Sequence, residues 1–175
     1  MSNRSGPASS GASEPAPRPV VIGCGNPTRS DDGVALEVIR ALRREHPALE
    51  QHAELIDAGT AGMDVMFRVR HAARVIIVDA CRSGSEPGAI FRLPGREALT
   101  PQAPAFSLHG LRWDHALYAG TRMFGADFAD RTEVLLIEAG SLEFGIGLSD
   151  PVQQAVAKAV ALVAGMLAGQ GDAGG

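Results

Sequence analysis

Short β-branched runs alternate along this chain with stretches whose apolar residues recur at helical spacing, and no other feature limits the fold as much. Pro19 to Gly23 (PVVIG), Ala53 to Asp57, Arg74 to Asp79 (RVIIVD) and Glu133 to Ile137 read as strands, with Ala89 to Leu93 as an edge strand. Between and after them, Val34 to Arg44, Met63 to Val69, Leu111 to Met123 and Pro151 to Leu167 read as helices. In the first helix Ala35, Val38, Ile39 and Leu42 make one apolar face, and in the last Val152, Ala155, Val156, Ala159, Val160 and Val163 do the same. Strand-helix-strand units of this kind wind a mostly parallel sheet with helices on both faces, so the expected fold is α/β, a three-layer α/β/α sandwich in a single domain. Residues 1–18 are rich in Ser, Gly, Pro and Ala, with too little apolar surface to repay ordering, and 169–175 are Gly-rich. Both are expected to be flexible tails on a domain spanning 19–168.

Composition removes several function classes. A formal net charge of -4 over 175 residues gives no electrostatic footprint for nucleic acid. Lys158 and Gly165 interrupt the apolar run of the last helix, which is in any case shorter than a membrane span requires, so a core helix is expected and no membrane partner. Cys24 and Cys81 form neither a CxxC pair nor a thiolate cluster, and are expected to be buried and reduced. With no apolar leader at the amino end, the expected compartment is the cytoplasm.

Ligands of open α/β sheets bind beyond the carboxyl ends of the strands, and acids accumulate there. The first strand runs into Asn26, Asp31 and Asp32, the second ends at Asp57, the third at Asp79 and a later one at Glu138. Carboxylates crowded in this way must be capped, protonated, solvated or met by a cation. Ser30 or Asp31 can serve as a cap for the helix that follows Gly33, and Asp57, in Asp57-Ala58-Gly59-Thr60-Ala61-Gly62, suits a turn that accepts its own amides. Asp79 follows a dry strand, where an unpaired charge is costly, and needs a partner. His109, in Phe106-Ser107-Leu108-His109-Gly110 ahead of the Trp113 helix, stands where a turn can bring an imidazole back over the sheet edge. His46, His52, His71 and His115 have no such placement. Two carboxylates and an imidazole offer oxygen and nitrogen donors that suit nickel, zinc or other divalent ions without selecting among them.

A dinucleotide reading of Gly23-Cys24-Gly25-Asn26 is weak, because Thr28 stands where GxGxxG has its third glycine and the helix start that would receive phosphate carries Asp31 and Asp32. No GxSxG elbow, HExxH helix or Walker loop occurs.

Taken together, Gly23-Cys24-Gly25-Asn26, Asp31-Asp32-Gly33, Asp57 to Gly62, Val78-Asp79-Ala80 and Ser107-Leu108-His109 give a pattern that resembles the hydrogenase maturation endopeptidases, from about Val20 to Leu167. The resemblance implies an aspartic-type endopeptidase that trims the C-terminal extension of a [NiFe]-hydrogenase large-subunit precursor. It also implies that Asp32, Asp79 and His109 contact the metal and carry catalysis. Some relatives have Glu where Asp32 stands. The nickel is implied to arrive with the precursor, and no nucleotide cofactor is expected. The alternative is a non-catalytic metal- or nucleotide-binding assembly module with the same fold.

Overall fold

The computed structural model describes residues 16–60, 62–99 and 113–169, without the side chains of 62–65 and 113–116. Five strands form one sheet: β1 (Val20–Cys24), β2 (Glu54–Gly59), β3 (Val75–Cys81), β4 (Ile90–Pro94) and β5 (Thr132–Glu138). Their spatial order is β2-β1-β3-β5-β4. The first four in that row are parallel, and β4 closes the edge antiparallel to β5. The α/β sandwich with a mostly parallel sheet expected from the alternation is therefore present. β3, between two parallel neighbours, is buried on both faces from Val75 to Val78, as its unbroken apolar run requires.

Period-two alternation divides the core into two layers. Val21, Ile76, Val78, Leu135 and Ile137 face α1 (Val34–Glu45) and, by the same packing, the last helix. Ile22, Cys24, Ile77 and Val134 pack in the other layer with Leu117 of α3 (Trp113–Phe124), Met66 and Val69 of α2 (Gly62–Val69), and Phe128 of the single turn α4 (Asp127–Asp130). Val38, Ile39 and Leu42 of α1 are fully buried. Each such side chain stabilises the fold by roughly 1.5–3 kcal/mol relative to exposure.

The last helix, α5 (Asp150–Ala168), has 19 residues and is apolar enough by length and composition to cross a membrane. Its Val152, Ala155, Val156, Ala159, Val160 and Val163 stripe is instead buried in the layer it shares with α1. Pro151 sits in its first turn, where a missing N–H costs nothing. Residues 1–15 and 170–175, which carry most of both expected tails, lie outside the described residues. Arg18 is already tied down, its guanidinium donating to the Glu50 carbonyl at 2.6 Å.

Near the site the structure differs from the sequence expectation at β2 and at the entry to α1. β2 continues past Asp57 to Gly59, with an irregularity in its pairing to β1 where Gly23 meets Asp57 but Cys24 meets Gly59. The chain also enters α1 through a tight 3-10 turn, Ser30–Gly33, rather than directly from a loop.

Candidate active site

The carboxyl ends of the strands gather the acids, and the structure sorts them by what holds each one. Asp31, at 0% exposure, is spent on the fold. Its Oδ2 accepts the amides of Gly140 and Ser141, each at 2.9 Å, and the Ser149 hydroxyl at 2.8 Å, while Oδ1 accepts the Ser149 amide at 2.6 Å. Neither Asp31 nor Ser30 caps α1: the residue before that helix is Gly33, without a side-chain cap. The Asp31 carboxylate points away from the helix and staples the 140–149 loop to the turn after β1. Ser149 precedes α5 with the extended backbone of an N-cap, yet its hydroxyl serves Asp31 instead of its own helix.

Glu138, also buried, is held in a similar way at the end of β5. It accepts the Ser83 amide at 2.9 and 3.0 Å, the Gly84 amide at 2.9 Å and the Ser83 hydroxyl at 2.7 Å. The Cys81 thiol donates to it at 3.3 Å. Burial pushes the Glu138 carboxyl up, but donors from Ser83, Gly84 and Cys81 outweigh burial and hold it down at about 2. The Cys81 thiol is pushed up to about 12 by burial, its bond to Glu138 and the charges of Glu138 and Asp79. It is half-buried rather than fully buried and is not a nucleophile. Asp57 is exposed, and its Oδ1 accepts the Gly59 amide at 3.2 Å, the local turn its sequence suggests.

Asp32 and Asp79 differ from these. Asp32 is partly exposed; its Oδ2 accepts the Asn26 amide at 3.0 Å, and no described residue donates to Oδ1. The turn that carries it needs Gly25, whose φ is +140° and where a Cβ would lie 1.9 Å from the Asp32 carbonyl oxygen. The amide of Asn26, which a bound phosphate would require, is thus already used by a carboxylate, which works against a nucleotide reading of the Gly-rich turn. Asp79 is partly exposed near the end of β3, next to β1, with its Oδ1 accepting the Ala80 amide at 2.8 Å. Its charge reaches both cysteines: burial, and then Asp79, raise the thiol of Cys24. By alternation from Val75 and Ile77, Asp79 belongs to the face that α2 and α3 cover.

His109 lies outside the described residues, shortly before α3 in the sequence. Among the described residues no three His, Cys, Asp or Glu side chains are grouped to hold a metal ion. The residues that sequence reasoning missed are the donors, Ser83 and Ser149, and the clamp role of Asp31. The Ser149-Asp150-Pro151 helix start was a visible signal for the place of Ser149 but not for its partner.

A mostly parallel sheet with partly exposed carboxylates in the turn after β1 and near the end of the neighbouring β3 defines an α/β protein with an acidic strand-edge site. The hydrogenase maturation protease family model matches residues 36–166. The chain is 28% identical over 156 residues to the coenzyme F420 hydrogenase subunit delta of Methanothermobacter thermautotrophicus, covering 82% of this chain and 90% of that protein. It is 28% identical over 144 residues to the hydrogenase 2 maturation protease of Escherichia coli, covering 82% and 86%. Its fold matches the hydrogenase maturating endopeptidase HybD from E. coli with a TM-score of 0.68 and 25% identity, covering 88% of this chain and 94% of that one. The chain belongs to the hydrogenase maturation protease family, and as a member it is an aspartic-type protease.

Proposed function

We propose that this protease removes the C-terminal extension of a [NiFe]-hydrogenase large-subunit precursor after nickel insertion, using Asp32, Asp79 and His109 as metal-contacting and catalytic residues. The observation that carries the assignment is the sorting of the acids. Asp31 and Glu138 are buried with their oxygens engaged by the fold, whereas Asp32, in the 3-10 turn after β1, and Asp79, near the end of β3, stand partly exposed. His109 joins them on the ground of the family pattern and of its position ahead of α3, the helix on the Asp79 face.

Carboxylate oxygens and an imidazole nitrogen are suitable donors to nickel. The nickel belongs to the substrate: it is carried by the precursor, and the protease is nickel-dependent in the sense that it reads a completed precursor. Held by these donors, the precursor's ion would supply Lewis acidity at the scissile bond. Asp32, whose Oδ2 accepts the Asn26 amide, or Asp79 then accepts a proton from the attacking water. Asp79, ordered by the Ala80 amide, adds negative charge beside it that favours docking of a cation. Both cysteines are free, consistent with action in the cytoplasm.

The test is cleavage of nickel-loaded precursor by the wild type, Asp32→Ala and His109→Ala proteins, read by product mass. Both variants should fold and lose processing by at least about two orders of magnitude. Undiminished shortening by both would end the assignment.

A further inference from the structure

We propose that the 140–149 loop is the surface on which the folded body of the precursor docks, with Phe144 and Ile146 as its apolar anchors. The inference rests on the reading of this chain as a precursor protease and names how that substrate is recognised away from the scissile bond. Phe144 is 84% exposed and Ile146 86%, well above the other exposed large apolar residues, of which Met123 reaches 54%. A scattered apolar residue on a surface is ordinary. These two are different because the loop that presents them is braced.

Asp31 holds both ends of the loop, at Gly140, Ser141 and Ser149. Its middle is laid against the turn after β1 in short strand fashion, with Ser30 N donating to the Gly145 carbonyl at 2.9 Å and Gly145 N to the Thr28 carbonyl at 3.0 Å. The Ser30 hydroxyl and the Arg29 guanidinium add bonds to the carbonyls of Glu143 and Leu142, both at 3.1 Å. Ser30 holds φ +49°, a conformation unfavourable for a residue with a side chain, and it is kept there by these contacts. A Cβ at Gly145 would lie 2.9 Å from the Ser30 hydroxyl, which would have to turn away from the Glu143 carbonyl to make room. Arg29 lies over the Phe144 ring at 5.5 Å and orders it.

The fold thus holds the Phe144 ring, and the braced backbone that carries Ile146, out in water. A pre-ordered anchor loses little entropy when a partner covers it, and buried aromatic anchors carry much of the energy of protein interfaces. The occupant follows from continuity. The turn to which the loop is stapled is Thr28 to Asp32, so the same rigid unit presents the apolar anchors and the catalytic carboxylate. A macromolecule engaged at Asp32 is therefore within one braced unit of Phe144 and Ile146.

The test titrates the full wild-type chain with nickel-loaded precursor and reads binding as the KM for shortening, with and without Phe144→Ser and Ile146→Ser. The double substitution should weaken binding by about tenfold or more while the thermal midpoint stays in place, because both side chains are exposed. Leu162→Ser, an exposed apolar residue on α5, should leave the affinity unchanged. An affinity unmoved by the double substitution overturns the docking surface. So does a wild-type dimer that it dissociates in sedimentation, since the patch would then belong to a second copy. If wild type neither binds nor shortens the precursor, the proposed function fails first, and the docking surface falls with it.

Discussion

At the amino end of the sheet Glu133 is met by two guanidiniums, those of Arg74 and Arg92, whereas at the carboxyl end Asp31 and Glu138 are met by amides, hydroxyls and a thiol. Both arrangements satisfy a carboxylate where it is partly or wholly dry, but they leave different fields behind. An arginine pair cancels the charge. Neutral donors stabilise the anion without cancelling it, so the carboxyl end keeps its negative potential close to Asp32 and Asp79. An edge built this way favours the approach of a cation, which is the feature the proposed reading of a nickel carried by the precursor uses. At the amino end the second guanidinium has its own cost: burial, and then the charge of Arg92, lower the pKa of Arg74.

The comparison can be broken most severely at Asp31. Asp31→Ala leaves three amides and the Ser149 hydroxyl without their acceptor in a buried place. It should cost about 3–5 kcal/mol in denaturant unfolding. It should also free the 140–149 loop, read as faster amide exchange at Ser141 and Ser149. A loss below about 1 kcal/mol would mean that water replaces the carboxylate, and the clamp would be dispensable.

Glu138 gives the next effect, through pH. Its folded value of about 2 lies below the ordinary 4.5, so the folded state binds this proton more weakly than the unfolded chain does. Its contribution to stability is therefore complete above about 4.5 and is lost as pH falls from there through about 2. Denaturant midpoints across that window should fall more steeply for wild type than for Glu138→Gln. Equal slopes would remove Glu138 from the acid-side balance.

The smallest effect belongs to the amino end. The Arg74 and Glu133 side chains retain 18% and 21% exposure, so their pairing is partly screened. Glu133→Gln should cost about 1–2 kcal/mol at low salt and less at high salt. If its cost were independent of salt, the contrast between the two ends would lose its electrostatic basis.

How far all this could be read from the sequence depends on the distance over which each feature is built. β1, β3 and β5 are found within about two residues of their β-branched runs, and the antiparallel edge strand where Ala89 to Leu93 suggests it, because burial on a pleated sheet is written locally. α4 and the 3-10 turn before α1 are too short for a periodic signal. The clamp is harder still. Asp31 is separated by 118 residues from Ser149, and Glu138 by 55 from Ser83, so nothing beside either acid shows that the fold satisfies it. Crowded strand-end acids were legible as a problem with several solutions. The structure shows that the protein uses neutral donors for two of them, Asp31 and Glu138, which leaves Asp32, Asp57 and Asp79 as the exposed or partly exposed acids of that edge. Asp32 and Asp79, with His109, are proposed as the site from the family pattern.

The most direct test of the central claim is to mix the protein with nickel-loaded and with nickel-free large-subunit precursor and weigh the products. Shortening of the nickel-loaded form alone is the expected result. Equal shortening of both forms would show that the acidic strand edge does not work through the metal its substrate carries.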